Sequence, residues 1–172
     1  MPVALKRLTE ERRIHMQIEK LEKHELFGLL NPNEIKRLSI VSGVATLKEG
    51  DLIYSEGVPA SHLFVLVKGR VELKRPTKGG LSLLVDDLIP GSIFGVSSLM
   101  GADRYLLNAE CVEDSEVLKI EGKTLLQILH NNLQVGYAIQ RRISQIFFKR
   151  YVNAVERLKT VVQAVSIRPV QE

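Results

Sequence analysis

Apolar positions recur with two different periods along the chain, and the changes of period divide it into three zones. From Thr9 to about His24, Ile14, Ile18 and Leu21 follow helical spacing, with Thr9 as a predicted cap and Glu10 and Glu11 in the first turn. A second short helix is signalled by Asn31-Pro32-Asn33-Glu34, where Asn31 caps, Pro32 fits the first helical position and Glu34 reaches back as in a capping box. Between Val44 and about Ile120 the period falls to two. Val44–Leu47, Asp51–Tyr54, His62–Lys68, Arg70–Lys74, Leu81–Leu88, Leu106–Cys111 and Glu116–Ile120 read as strands. Glycine turns fall between them, and Gly57 and Gly69 are expected to close hairpin-like turns at positive φ. Seven or eight short strands with no interleaved helix predict a sandwich, jelly roll or barrel.

The third zone is helical again. Gly122–His130 forms a short element, and a long helix is predicted from about Leu133 to Val165. Phe147, Ala154 and Val161 repeat at heptad spacing, with Tyr151, Leu158 and Val165 interleaved, whereas upstream Ile139, Ile143 and Ile146 supply an apolar face shifted round the helix. The upstream face is expected to pack on the β-domain and the later stripe to stand clear of it. A helix of that length spans about 50 Å, more than one small sandwich covers, so pairing of Phe147, Tyr151, Ala154, Leu158 and Val161 in a homodimer is favoured over packing on the chain's own domain.

Composition narrows the function classes. Apolar residues are 45%, charged residues 26% and aromatics 5%, an ordinary globular balance. The longest apolar run, Leu63–Val67, is far short of a membrane span, and no apolar segment follows the N-terminal charges as in a secretory signal. No membrane insertion and a cytoplasmic location are expected. A single cysteine, Cys111, excludes an intramolecular disulfide framework and reads as a small core residue. The net charge of +4 is concentrated late, where Arg141, Arg142, Lys149 and Arg150 stand close together. A solvated helix face is the plainer account, and weak, sequence-blind contact with nucleic acid is the alternative. His15, His24, His62 and His130 lack metal-ligand spacing, and no nucleotide loop, nucleophile elbow or carboxylate pair is evident, so neither a metal site nor an enzyme is expected.

Several motifs then fall in a telling order. Leu26-Phe27 with Leu29 and Leu30, Lys48–Gly57, Leu63–Val71, Gly91-Ser92-Ile93-Phe94-Gly95 and Glu113–Leu118 together resemble the cyclic-nucleotide-binding domain family. The resemblance covers about residues 21 to 150. It implies an α+β fold: a β-roll or jelly roll of about eight antiparallel strands, flanked by N-terminal helices and a long C-terminal helix. It also implies a division into an N-terminal helical extension (1–24), the β-roll domain (25–130) and the long dimerisation helix with a short tail (131–172).

In that family, Phe94-Gly95 would open a phosphate-binding cassette, with Val96, Ser97, Ser98 and Leu99 forming its turn and Arg104 or Tyr105 facing the ligand. Bare amides after Gly95 would attract an anion, and Ser97 and Ser98 would either add hydroxyls or simply cap the turn. The family's cassette continues with Glu, which binds the ribose 2′-hydroxyl, and later with Arg, which pairs with the cyclic phosphate. Here those positions fall on Val96 and Tyr105, and Arg104 stands one residue early. Either the loop slips and keeps Arg104 inside, or Arg104 points outward in a strand-edge pair with Asp103. Binding of cyclic AMP or cyclic GMP is therefore doubtful, and no cofactor is assigned; a haem held by one axial histidine, known among relatives, is disfavoured.

The reading that results is a small regulatory or sensory protein with an altered cassette, signalling through helix rearrangement in a dimer. The alternative is a ligand-free scaffold or protein-interaction module on the same fold. A homodimer, another small ligand and an unknown protein partner are the expected associations. A recognition-helix module is not expected after Val165, so specific DNA binding is not expected either.

Overall fold

A computed structural model describes residues 3–166, with side chains described from residue 12 onward except Val161 and residues 164–166. Val161 and Val165 of the predicted stripe, and the tail after Ser166, lie outside the described side chains.

The first helix, α1 (Val3–Lys23), begins six residues before Thr9, which is therefore helix interior and not a cap. Its later turns join the domain: Leu21 is fully buried, and the buried Gln17 amide donates to Ser42 O at 2.9 Å. A 3-10 turn at Phe27–Leu29 leads to α2 (Pro32–Ile40). The local sequence dictates that start. Asn31 Oδ1 accepts the Asn33 and Glu34 amides at 3.0 Å, and Glu34 Oε2 accepts the Asn31 amide at 2.8 Å.

Eight strands follow: β1 (Ser42–Leu47), β2 (Leu52–Tyr54), β3 (His62–Lys68), β4 (Val71–Pro76), β5 (Ser82–Leu88), β6 (Ile93–Phe94), β7 (Asn108–Cys111) and β8 (Ser115–Glu121). They form two antiparallel four-stranded sheets, ordered β1-β8-β3-β6 and β2-β7-β4-β5. Gly57 and Gly69 do adopt positive φ, but the connections that hold them join strands of opposite sheets, so neither closes a hairpin. Leu106 and Leu107 precede β7 instead of belonging to it. The helices α3 (Gly122–Asn131) and α4 (Leu133–Ser166) complete the chain.

Strand β3 explains the arrangement. Leu63 and Val65 point into a core shared with the helices, while Phe64 and Leu66 point into the core between the sheets. A strand covered on both faces needs an unbroken apolar run, which is what Leu63–Val67 supplies. Leu21, Phe27, Leu38, Leu125 and Ile139 close the helix-side core, and Phe94, Val71, Cys111 and Val117 help fill the other. Each fully buried side chain of this size contributes about 1.5–3 kcal/mol.

His24 links helices to sheet. Its Nδ1 accepts the Leu26 amide at 3.2 Å, so Nε2 carries the proton and donates to Gly91 O at 3.0 Å. Burial holds its pKa below the ordinary value, with the Gly91 contact and Glu25 opposing. Burial likewise lowers His62. A depressed histidine pKa means the unfolded chain binds more protons, so its contribution is complete above about pH 6.5 and is lost as pH falls towards the folded value. Chemical denaturation across that window should show stability falling with pH, and His24→Asn should flatten the slope; an unchanged slope would contradict this role for His24.

Candidate functional site

A cavity of about 370 Å³ opens where the end of β6 and the turn after it meet α4. Its floor is aromatic. Tyr105 is buried and stacks on Tyr54 with ring centroids 3.9 Å apart, and Phe94 lies 6.1 Å from Tyr54. The Tyr105 hydroxyl donates to His62 O at 2.8 Å and accepts the His62 amide at 3.1 Å, pinning the start of β3. Burial raises both phenol pKa values, so the rings remain neutral and apolar towards the cavity.

The turn itself is a 3-10 segment, Val96–Leu99, entered through Gly95 at φ +71°. No other residue fits there: a Cβ would lie 2.8 Å from the Phe64 ring and 2.9 Å from His62 O. Val96 is buried and lines the cavity with Ser97. Neither serine caps the turn, because Gly95 occupies the cap; the Ser98 hydroxyl instead donates back to Gly95 O at 3.0 Å. Leu99 is buried in the helix-side core.

Arg104 does point outward. It sits in an isolated bridge with Pro59, and its Nη1 donates to Gly57 O at 2.5 Å on the exposed side. Tyr105 lines the cavity in its stead, with Leu106 and Leu107 beside it.

The cavity's cation comes from an element that the cassette motif does not include. Phe147, Arg150, Tyr151 and Ala154 of α4 line it, and Arg150 Nε meets Asp86 Oδ2 at 2.7 Å with both side chains mostly buried. Arg150 also donates to Ile93 O at 2.7 Å and lies 5.7 Å from the Phe147 ring centroid. Burial lowers the Arg150 pKa, opposed chiefly by Asp86, which is the desolvation a charge suffers in an apolar recess. The charge run read as a solvated face is thus divided: Arg150 reaches the cavity and Arg142 pairs with Glu25, while further along α4 Arg157 donates to Val85 O at 3.2 Å. The stripe expected to stand clear of the domain is divided too. Phe147, Tyr151 and Ala154 border the cavity, while Phe147, Tyr151 and Leu158 still expose 45%, 66% and 64% of their surface. Sequence spacing could have found Arg150, because it shares one helix face with Phe147 and Ala154.

Close packing links turn to helix. A Cβ on Gly122, the first residue of α3, would lie 2.9 Å from Ser98 Cβ, and one on Gly136 of α4 would lie 2.6 Å from Leu129 O. The turn, α3 and α4 therefore touch in series. Cys111 is buried in β7, its thiol pKa raised by burial. Among the described residues no cluster of His, Cys, Asp or Glu is placed to hold a metal ion, and no helix is long and apolar enough to cross a membrane.

The model of the cyclic nucleotide-binding domain family matches residues 44–132. An anaerobic regulatory protein of Bacillus subtilis (strain 168) is 25% identical over 117 residues, covering 67% of this chain and 49% of that protein, so the match spans about half the relative's length. The sensor domain of the transcriptional regulator DNR from Pseudomonas aeruginosa superposes with a TM-score of 0.70 at 25% identity, covering 83% of this chain and 94% of that one. A regulatory subunit of a cAMP-independent protein kinase A from Trypanosoma cruzi, bound to guanosine, shares the fold with a TM-score of 0.68 at 18% identity, covering 87% of this chain and 52% of that one. With the family match spanning more than half of the 172 residues and the fold shared with such a sensor domain, this chain belongs to the cyclic nucleotide-binding domain family.

Proposed function

We propose that this protein is a regulatory module whose cavity no longer favours cyclic AMP or cyclic GMP, and which signals by moving α4 within a homodimer. The observation that carries this reading is the charge inventory of the cavity. Among the described residues its charged lining groups are Asp86 and Arg150, and neither stands at the cassette positions, 96 and 105, where the family's Glu and Arg fall. Val96 offers the ribose no acceptor, and Tyr105 offers the phosphate no cation. Each missing charge-assisted bond is worth roughly 1.5–3 kcal/mol, or about 10- to 150-fold in affinity. A cavity of about 370 Å³ argues for a different small ligand over a ligand-free scaffold. On this reading residues 25–130 form the body of the ligand-binding unit, α1 is an extension of it, and the segment from 131 onward completes the cavity through α4 and carries the output.

The contact series from the Val96–Leu99 turn through α3 to α4 supports a two-state response, in which a ligand favours one position of the helix over the other. A second copy of this chain is the proposed cover for the exposed face of α4. That helix has 34 residues, about 51 Å, and Phe148, Tyr151, Val155 and Leu158 are exposed along it at helical spacing. An unpartnered apolar face of that extent is unfavourable in water.

Calorimetry should detect weak or no binding of cyclic AMP and cyclic GMP to the parent. The Val96→Glu/Tyr105→Arg double variant should gain roughly tenfold or more, provided a thermal melt shows it folded, since it gives up the two His62 contacts. Tight binding by the parent would overturn the reading. For assembly, Leu158→Glu is the cleaner probe because Leu158 does not line the cavity. Light scattering should report a dimer for the parent and a monomer for the variant, and a variant that stays dimeric would remove α4 from the interface.

A further inference from the structure

Resting on the reading that the cavity has turned away from cyclic nucleotides, we infer that it takes an amphipathic carboxylate whose head displaces Asp86 from Arg150, and that this exchange releases α4 from β5. The first support is a register fault. In the β4–β5 pairing Leu73 faces Asp86 and Lys74 faces Leu84, so Val85 is an extra, unpaired residue. A regular strand sends neighbours to opposite faces, yet Val85 and Asp86 both line the cavity. Asp86 stays in register with Leu73, which also lines the cavity, and the bulge adds Val85 to that same face, so a carboxylate and its apolar neighbour both face the recess.

The second support is the match between that carboxylate and what surrounds it. Arg150 lies in a recess whose lining is mostly apolar, with Phe94, Val96, Leu107 and Phe147 to hold an apolar body, and among the described lining residues the guanidinium is the one cation it offers a head group, beside neutral hydroxyls such as Ser97 and Tyr151. The group Arg150 already holds is a carboxylate, so a ligand carboxylate reproduces its bond in kind. Asp86 Oδ1 already accepts the Asp87 amide at 3.0 Å and keeps that bond, while Oδ2, released from Arg150, turns to water.

The third support is where the pair sits. Arg150 and Arg157 lie two turns apart on α4, and both grip the bulge, one through Asp86 and the other through Val85 O. Taking Arg150 from Asp86 removes one of these two polar ties between α4 and β5, beside the bond that Arg150 makes to Ile93 O of β6. The ligand would thus be read by the element proposed to carry the output.

The test compares octanoate with 1-octanol on the intact protein by calorimetry, with amide hydrogen exchange along residues 147–157 as the second readout. Octanoate should bind roughly tenfold or more tighter than the alcohol and should speed exchange in that stretch. Asp86→Asn should bind octanoate several-fold tighter and show fast exchange before any ligand is added. Arg150→Gln should bind acid and alcohol alike. Failure of octanoate to outbind the alcohol in the parent, which needs no variant, would overturn the inference, as would weaker octanoate binding by a folded Asp86→Asn protein. Neither result touches the reading of the cavity as closed to cyclic nucleotides. Tight cyclic AMP binding that octanoate fails to displace would sink that reading and this inference together.

Discussion

Strand β3 must be dry on both sides, and much of the molecule follows from that constraint. One face needs the second sheet and the other needs the helices, so the chain surrounds β3 with two cores. The turn after β6 lies beside β3, and Gly95 has so little room that only a left-handed glycine passes between Phe64 and His62. The geometry of the cassette turn is thus set by core packing, whatever it binds. A fold can keep this turn while its ligand chemistry changes, because the forces that shape the turn are not those that recognise the ligand.

The electrostatics of the cavity support the proposal of such a change. Tyr105 occupies the place at which the family resemblance expected a guanidinium, and its hydroxyl serves the His62 backbone. The positive charge enters from α4 instead. A cation fixed on the β-roll would report only occupancy. A cation on the helix makes the helix's position part of the binding equilibrium, since any group that competes for Arg150 also acts on the contact between α4 and β5. Burial sharpens that coupling, because an arginine deprived of Asp86 in an apolar recess must find another anion or reach water.

The legible and illegible parts of the sequence divide by range. The α2 start was readable because Asn31, Pro32 and Glu34 act on one another within a turn. The two-sided burial of β3 was readable as an unbroken apolar run, and the lengths of α3 and α4 as periodicity. The start of α1 was not, because Thr9 resembles a cap locally while the helix continues through it. Two-residue β6 is too short to express a period, and the bulge at Val85 hides inside Leu83-Leu84-Val85-Asp86-Asp87, where hydrophobicity does not mark facing. The choice between Arg104 and Tyr105 is one of register, decided by the Pro59 bridge and the stacking on Tyr54. The shared helix face of Arg150, Phe147 and Ala154 was legible as spacing, but the pairing of Arg150 with Asp86 exists only once α4 crosses β5.

That crossing also bears on the exposed stripe of α4. Phe147 and Tyr151 border the cavity and are still substantially exposed, so one side chain faces two environments. A partner helix laid along this face would cover the cavity's rim as well as the stripe. Covering the rim excludes water from the Arg150–Asp86 pair and strengthens it; rotating α4 to weaken the pair would in turn change the surface offered to the partner. Assembly and ligand state would then be linked through the same few side chains, and by thermodynamic necessity each would shift the other's equilibrium by the same factor.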